Sequence, residues 1–323
     1  MKPLHPGDQL DHYRIEGVAA RSGMASIFRG TDLRTGRPVA IKVPHPEMES
    51  DPAFFERFHR EAEIGEKLDH PGVMKVFSDD DRSRVYMVME WVEGQLLREL
   101  LNEQQKLPLE RALRIAVGLC EALDYIHRHG VVHRDLKPEN IMVDAEDRIK
   151  LIDFGIASNT ASRRITFAKL SQTMGTPDYI SPEQVKGKRG DARSDLYALG
   201  VMLYEMLTGK TPFRGENPLL IMNDRLLNNP VPPREIDPAI SPQLQEVIYR
   251  ALERDPKNRY ASAREFARDL QHLDQVGVAD RPELKDWRRR RASWPRQALF
   301  YAMLAMIPIV IFALLFYVAR HSR

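Results

Sequence analysis

The sequence predicts an α+β protein in which a β-rich N-terminal part precedes a helical part and then a single apolar helix. Short β-branched runs with strand alternation recur within residues 11–91. Apolar residues at helical spacing dominate residues 95–273. An uncharged apolar run then occupies residues 298–319, directly after an arginine-rich stretch. Together these observations predict a β-rich part, a helical part and an apolar helix, in that order along the chain.

Length and composition indicate a globular protein. With 323 residues and 43% apolar side chains, the chain can form one large domain or two ordinary ones. Its 48 basic and 46 acidic side chains give a formal charge of +2, so no overall field favours nucleic acid. The single cysteine, Cys120, lies in a helical pattern and is expected to be a buried apolar residue. Residues 1–10 lack an apolar run of the signal-peptide type, so we expect the parts before the apolar helix to stay in the cytoplasm.

The first two predicted strands, residues 13–15 and 26–30, are joined by a connection over residues 17–25 that contains Gly17 and Gly23. Considered alone, this glycine pattern predicts no more than an ordinary hairpin.

A lysine within the next apolar strand requires a counter-charge. In residues 38–43, strand alternation places Ala40 and Lys42 on one face. A buried ammonium is costly unless it reaches an anion, although a lysine at a sheet edge could instead face water. The helix predicted over residues 51–68 carries Glu61 on its apolar face. We therefore predict that Glu61 lies beside Lys42.

Residues 133–140, with the sequence His-Arg-Asp-Leu-Lys-Pro-Glu-Asn, place several charged and polar groups in one short loop. Asp135 can hold a hydroxyl nucleophile while Lys137 faces an anionic phosphoryl group. Asn140, and Asp153 a short strand later, supply the oxygen ligands that Mg²⁺ prefers. This arrangement predicts phosphoryl transfer.

The His-Arg-Asp motif and the Asp-Phe-Gly motif at residues 153–155 resemble the catalytic and metal-binding loops of eukaryotic-like, bacterial-type serine/threonine protein kinases. Either motif alone is common by chance. Their order, after Lys42 and Glu61 and before Ser-Pro-Glu at residues 181–183, is what makes the resemblance specific.

The resemblance implies a bilobal protein-kinase fold. It predicts a small β-rich lobe with one key helix over about residues 11–91, and a larger, mainly helical lobe over about residues 95–273. Residues 1–10 then form an N-terminal extension, and residues 274–297 form a basic juxtamembrane linker.

By resemblance, ATP binds between the lobes with Mg²⁺, for which Mn²⁺ is an alternative. Asp135 and Lys137 are the expected catalytic residues. Lys42 is expected to hold the α- and β-phosphates, oriented by Glu61. The residues expected to form the ATP site are Gly17, Gly23, Ile27, Ala40, Lys42, Glu61, Met89, Glu90, Val92 and Met142.

Two parts of this expected site are the phosphate-covering loop and the hinge. Ser22 and Ala25 stand where the phosphate-covering loop usually has glycine, so that loop departs from the pattern. Residues 90–94 resemble the kinase hinge: Met89 is expected to back the adenine pocket, and the main chain of Glu90 and Val92 to bind adenine, so the side chains of the hinge say little about it. Met142 would form the floor of the pocket.

The polar segment between residues 153 and 183 has the length of an activation loop. Kinases with an arginine at the position of Arg134 commonly use it to bind a phosphate on that loop. We therefore predict autophosphorylation, with Thr173 the first candidate and Ser171 or Thr166 next. A surface loop without a regulatory role is the alternative.

Four further residues are expected to support the site. By resemblance, Thr176 contacts the catalytic pair, and Glu183 forms a buried ion pair with Arg259. Asp195 is predicted to begin a buried apolar helix over residues 196–207 and to brace the main chain of the catalytic loop.

Residues 298–319 are predicted to form a transmembrane helix, because about 22 helical residues cross roughly 30 Å of hydrocarbon. Arginines at 288–291 exceed the positive charge in residues 320–323, which predicts that the preceding lobes are cytoplasmic. The arginines are also expected to bind anionic lipid. The alternative is that the arginines bind nucleic acid, but their position beside the predicted span makes this alternative less favourable.

The expected localisation is the cell membrane, crossed once, with residues 320–323 outside. So short a segment predicts no external sensor domain. The span has no glycine pair that would support helix dimerisation, so whether the chain forms a homodimer stays open.

The predicted function is ATP- and Mg²⁺-dependent transfer of the γ-phosphoryl group to serine and threonine hydroxyls of proteins, in membrane-anchored signalling. The alternative is a membrane-tethered pseudokinase that acts as a scaffold. Its sequence support is the degraded glycine loop.

Overall fold

The chain divides into two units, Met1–Val278 and Ala279–Arg323, and the computed structural model describes most of the first. The described residues are 4–49, 51–78, 82–153, 177–281 and 306. All the helices and strands below belong to the first unit, and of the second unit only residues 279–281 and 306 are described.

The N-terminal part forms an antiparallel six-stranded sheet with the strand order β1-β2-β3-β4-β6-β5. Its strands are β1 (Gln9–Leu10), β2 (Tyr13–Arg21), β3 (Ala25–Asp32), β4 (Pro38–Pro44), β5 (Val76–Phe77) and β6 (Met87–Glu90). After a short helix, Pro46–Glu49, the long helix Pro52–Lys67 begins at Asp51, whose side chain accepts a hydrogen bond from the amide of Ala53.

The helix Pro52–Lys67 packs its apolar side on the sheet. Its buried residues include Phe54 and Phe58, which join one apolar cluster with Ala40, Met87 and Met89 of the strands. The burial of this face fixes the direction of Glu61, which lies on the same side of the helix and is also buried.

The hairpin between β2 and β3 corrects the predicted connection over residues 17–25. Strand β2 continues to Arg21 and β3 begins at Ala25, so the turn spans only residues 22–24. Two irregularities in the pairing, between Ile15 and Gly17 and between Val18 and Ala20, let the strand continue through the glycine-containing segment.

The C-terminal part is mainly helical and includes one small sheet. That sheet contains β7 (Gln95–Leu96), β8 (Ile141–Val143) and β9 (Ile149–Leu151). The helices are Leu97–Gln104, Leu109–Arg128, Pro182–Val185, Ala192–Thr208, Pro218–Leu227, Pro233–Ile236, Pro242–Ala251 and Ala263–Gln271. The described residues thus confirm a β-sheet lobe followed by a helical lobe.

The helices Leu109–Arg128 and Ala192–Thr208 form the centre of the large apolar core. Cys120 belongs to this core, where burial raises the pKa of its thiol, so it is a buried apolar residue as predicted. The prediction that Asp195 begins its helix was wrong. The helix starts a turn earlier because Asp191 caps it by accepting a hydrogen bond from the amide of Arg193.

Some predictions fall outside the described residues. These include Thr166, Ser171, Thr173 and Thr176 of the predicted activation loop, most of the predicted basic linker with the arginines at 288–291, the predicted span 298–319 apart from Met306, and residues 320–323. Of the helices that the structure describes, none has the length and apolarity needed to cross a membrane.

Candidate active site

One face of the N-terminal sheet carries most of the predicted ATP contacts from the strands. In the antiparallel register Ile27 lies opposite Lys42, and Ala40 lies opposite Met89. Directly opposed side chains point to the same face, and so do residues two apart in a strand. The register therefore brings Ile27, Ala40, Lys42 and Met89 together on one surface.

Lys42 lies between two carboxylates. Its Nζ atom is 3.1 Å from Oε1 of Glu61 and 2.8 Å from Oδ1 of Asp153. Burial alone would lower the pKa of Lys42, but Asp153 and Glu61 outweigh it and raise that pKa. The ammonium is thus charged at neutral pH, and the predicted pairing of Lys42 with Glu61 is present.

The two carboxylates beside Lys42 differ in their environment. Burial, together with the nearby charge of Asp153, raises the pKa of Glu61 despite Lys42. For Asp153, burial acts in the same direction, but the attraction of Lys42 is stronger and the pKa is lowered. Asp153 is also the more exposed of the two, with 39% of its side chain accessible against 8% for Glu61. It is therefore the carboxylate that a ligand can reach.

The main chain positions Asp153 at the end of a strand. The amide of Ile152 donates to the carbonyl of Asn140 at 3.0 Å, and the amide of Leu151 donates to the carbonyl of Gly72 at 2.9 Å. Asp153 itself has a φ of 58°, in the left-handed region that non-glycine residues seldom occupy. This turn aims the carboxylate at Lys42.

The loop over residues 133–140 brings its polar groups together. Nζ of Lys137 lies 2.8 Å from Oδ2 of Asp135, and Nδ2 of Asn140 donates to the carbonyl of Asp135 at 2.8 Å. The 3₁₀ turn Pro138–Asn140 makes the second contact possible. Because the amide nitrogen of Asn140 faces Asp135, its oxygen is directed the other way.

Asp195 braces this loop. Its carboxylate accepts hydrogen bonds from the amides of His133 at 2.9 Å and Arg134 at 2.8 Å, and it lies 2.8 Å from Nε2 of His127. These bonds hold Arg134 at a φ of 64°. Complete burial lowers the pKa of His133, so its ring is neutral at pH 7. The bracing predicted for Asp195 is therefore present, although Asp195 lies within the first turn of its helix.

Glu183 and Arg259 form a buried ion pair with two parallel hydrogen bonds. Nη1 and Nη2 of Arg259 donate to Oε1 and Oε2 of Glu183 at 2.8 and 2.7 Å. The hydroxyl of Ser194 donates to the same carboxylate at 2.6 Å. The pairing predicted for Glu183 is present, and it connects the Ser-Pro-Glu segment to the core of the helical lobe.

The tip of the β2–β3 hairpin satisfies its own main-chain groups. The amides of Met24 and Ala25 donate to the hydroxyl of Ser22 at 3.3 and 3.1 Å, and the amide of Ser22 donates to the carbonyl of Ala25 at 2.9 Å. Ser22 thus stabilises a tight turn where the sequence pattern leads one to expect glycine. Gly23 lies within this turn and Gly17 lies in the preceding strand, and a Cβ atom at either position would meet open space.

The hinge contains a contact that the sequence did not predict. The carboxylate of Glu90 accepts a hydrogen bond from the amide of Lys75 at 2.7 Å and lies 2.5 Å from Nζ of Lys150. Lys150 is paired with Met142, the predicted floor of the adenine pocket, in the β8–β9 ladder. A lysine between the apolar strand residues Ile149 and Leu151 is a sequence signal that Lys150 has an anionic partner, but it does not indicate which carboxylate that partner is.

A second unpredicted contact lies on the other side of the catalytic loop. The guanidinium of Arg98 donates to Glu139 at 2.8 Å and to Glu205 at 2.9 Å, and also to the hydroxyl of Tyr179. Arg98 lies on the helix Leu97–Gln104, which sequence patterns did not indicate. This network connects the loop after Asp135 to Tyr179, near the end of the predicted activation loop, and to Glu205 of the helix Ala192–Thr208.

The residues present fit a magnesium ion that is shared with phosphate. Among the described residues no group of three or more His, Cys, Asp and Glu side chains could hold a metal ion. Mg²⁺ is usually bound by one or two carboxylates together with waters and substrate phosphates. The carboxylate of Asp153 and the amide oxygen of Asn140 supply such a partial set of ligands, joined through the Ile152 hydrogen bond.

Comparison with known proteins agrees with this geometry. The sequence model of the family described as 'Protein kinase domain' matches residues 21–272 of this chain. The chain belongs to the protein kinase domain family. Its catalytic loop, its strand lysine and its helix glutamate all lie within the part that matches this family.

Among curated protein kinases, a probable serine/threonine-protein kinase of Streptomyces coelicolor is 40% identical over 264 residues, which are 80% of this chain and 39% of that protein. Serine/threonine-protein kinase PknB of Mycolicibacterium smegmatis is 36% identical over 284 residues, or 86% of this chain and 45% of PknB. The chain therefore spans less than half the length of these relatives.

Among solved structures, the kinase domain of Mycobacterium tuberculosis PknI has a TM-score of 0.65 and 27% identity. The similarity covers 84% of this chain and the whole of that domain. The bilobal protein-kinase fold is thereby established for this chain.

Proposed function

We propose that this chain is a serine/threonine protein kinase that transfers the γ-phosphoryl group of ATP to protein hydroxyls. The observation that carries the proposal is the position of Lys42, which contacts both Glu61 and Asp153. A largely buried ammonium held by two carboxylates is suited to bind the phosphates of ATP, because its charge is maintained and its position is fixed. The kinase relatives support the same conclusion.

The catalytic loop supplies the remaining groups. Asp135 would accept the proton of the serine or threonine hydroxyl and orient it, while Lys137 would stabilise charge on the phosphoryl group. Asn140 and Asp153 would hold Mg²⁺, which when bound neutralises charge on the phosphates. The Lys137–Asp135 contact of 2.8 Å keeps the acceptor and the cation together before substrate arrives.

No observation favours the pseudokinase alternative. The degraded glycine loop was its support, and the hairpin tip forms a regular turn through Ser22. Lys42, Glu61, Asp135, Asn140 and Asp153 are all present.

Incorporation of labelled phosphate tests the proposal. Wild-type protein incubated with Mg²⁺, γ-labelled ATP and a generic basic protein should label serine and threonine of that protein, whereas Lys42→Met should reduce the label at least 100-fold, the scale expected for lost charge stabilisation. Lys106→Met is the matched control, because Lys106 forms an exposed ion pair with Asp237 at 2.9 Å. Equal labelling by wild type and Lys42→Met, or none by the folded wild type, would refute the proposal.

We propose in addition that the kinase acts at the cell membrane. The support is the uncharged run over residues 298–319, preceded by arginines at 288–291. In this arrangement the kinase lobes are cytoplasmic, residues 274–297 form the basic linker next to anionic lipid, and residues 320–323 lie outside. Autophosphorylation of the activation loop, supported by Arg134, belongs to the same proposal.

A further inference from the structure

The carboxylate of Glu90 takes a place in the sheet that a main-chain carbonyl would normally occupy. In the antiparallel pairing of β5 and β6, Val76 lies opposite Met89 and Phe77 opposite Val88. Continuing this register places Lys75 opposite Glu90. The amide of Glu90 donates to the carbonyl of Lys75 at 2.9 Å, as a hydrogen-bonded antiparallel pair requires.

The return bond of this pair is different. In a regular pair the amide of Lys75 would donate to the main-chain carbonyl of Glu90. Here the amide of Lys75 donates instead to Oε1 of the Glu90 side chain, at 2.7 Å. The Glu90 side chain therefore satisfies a partly buried amide that would otherwise bind the main-chain carbonyl of Glu90.

Lys150 fixes the carboxylate in this position. Its Nζ atom lies 2.5 Å from the same Oε1 atom and 3.4 Å from the carbonyl of Val73. The two side chains are only 23% and 26% exposed, so water screens their attraction less than it would at an open surface. Lys150 lies opposite Met142 in the β8–β9 ladder, so their side chains share a face. The ion pair between Lys150 and Glu90 connects this face to the hinge.

We propose that Glu90 and Lys150 are positioning residues for adenine recognition. The inference rests on the proposed function, because it concerns the nucleotide site of that kinase. The Glu90 carboxylate accepts the hydrogen bond of the Lys75 amide. The main-chain carbonyl of Glu90 is therefore available to accept a hydrogen bond from the 6-amino group of adenine. Lys150 keeps the carboxylate on the Lys75 amide and prevents it from turning toward solvent.

This arrangement predicts selectivity for a base with a 6-amino group. Loss of Lys150 would free the carboxylate, and the amide of Lys75 would then compete for the Glu90 carbonyl. Adenine nucleotides would lose a hydrogen bond, which corresponds to about a tenfold change in affinity. Hypoxanthine nucleotides carry an oxygen at position 6 and make no such bond, so their affinity would not change.

Calorimetric titration with ADP and with inosine diphosphate tests the proposal directly. For the full chain, Lys150→Met and Glu90→Ala should each weaken ADP binding about tenfold and leave inosine diphosphate binding unchanged. Lys150→Arg should retain the wild-type affinity, since it can restore the ion pair. The matched control is Lys106→Met, which removes an exposed lysine from its ion pair with Asp237 and should change neither affinity.

The kinetic counterpart separates positioning from a general structural effect. Lys150→Met should raise the KM for ATP about tenfold while kcat changes less than twofold. Equal weakening of both nucleotides, an unchanged ADP affinity in Lys150→Met, or a wild type that does not distinguish ADP from inosine diphosphate would overturn the inference. A wild type that binds ADP selectively but transfers no phosphate would refute the proposed function alone.

Discussion

The Nζ atom of Lys42 lies 2.8 Å from Oδ1 of Asp153, although the two residues are 111 positions apart in the chain. One belongs to the N-terminal sheet and the other follows the last strand of the small sheet in the helical lobe. Their contact therefore fixes the lysine that we propose to bind phosphate relative to the carboxylate that we propose to bind the metal. Glu61 and Lys42 are largely removed from water at this contact, and that desolvation costs free energy. Binding of an anionic nucleotide is a functional reason to accept the cost.

Glu61→Gln should lower kcat/KM for ATP by about 10- to 100-fold, the range expected when a hydrogen bond to a charged group is weakened. The amide can still accept a bond from Lys42, but it no longer balances the charge that holds the lysine in place. Steady-state kinetics with varied ATP provides the measurement. Glu63→Gln is the control, because Glu63 lies on the same helix and is exposed. If both variants behave like wild type, Glu61 does not orient Lys42.

Glu183→Gln should destabilise the fold by about 3 kcal/mol at pH 7, because it leaves the buried charge of Arg259 without its partner. Burial would raise the pKa of Glu183, but the hydrogen bonds from Arg259 outweigh it and lower the pKa below its ordinary value of 4.5. A carboxylate with a lowered pKa stabilises the folded state above its unfolded pKa. That contribution disappears as the pH falls through the folded value.

The difference in unfolding free energy between wild type and Glu183→Gln should therefore shrink as the pH falls below about 4.5. Urea unfolding at pH 7 and at successively lower pH measures it. Asp237→Asn is the control, since its pair with Lys106 is exposed and should contribute about 1 kcal/mol or less. A difference that grows on acidification would contradict the assigned direction of the pKa.

The contacts of the site could be predicted from the sequence where local patterns determine them, and not where residues from distant parts of the chain meet. Lys42 and Glu61 were predictable because strand alternation and helical periodicity each show which face a residue occupies. The contact between Glu90 and Lys150 was not predictable, since it depends on the register of β5 against β6 and on how the second sheet meets the hinge. Local patterns contain no information about either relation.

Two predicted boundaries were wrong for local reasons. The helix Ala192–Thr208 begins before its apolar run because Asp191 provides the cap, whereas the prediction followed apolarity and started at Asp195. In the β2–β3 hairpin, the glycines suggested a long loop, but Ser22 closes a short turn and the strands continue on both sides. In each case one polar side chain bonded to the main chain decided the boundary.

Mass spectrometry tests the predicted autophosphorylation. After incubation with Mg²⁺ and ATP, peptides containing Thr173 should gain phosphate in the wild type but not in Lys42→Met. Thr173→Ala should reduce the incorporated phosphate by about half or more, with Ser171 and Thr166 as the remaining acceptors. An active enzyme whose activation-loop peptides stay unmodified would contradict this prediction.

Membrane attachment can be tested by extraction. The full chain should remain with membranes through high salt and alkaline carbonate, because burial of an apolar span of about 20 residues is insensitive to both. A chain that ends at residue 281 should remain in the supernatant. Release of the full chain by salt alone would show that the arginines at 288–291 bind lipid without a span.

The most direct test of the kinase assignment is the effect of Asp153→Asn on phosphoryl transfer and on nucleotide binding, measured on the same preparation. We predict at least a 100-fold fall in transfer at saturating ATP and Mg²⁺, while the dissociation constant for adenosine changes less than threefold, because Asp153 serves the metal and not the base. Transfer that proceeds at the wild-type rate in Asp153→Asn would contradict the account.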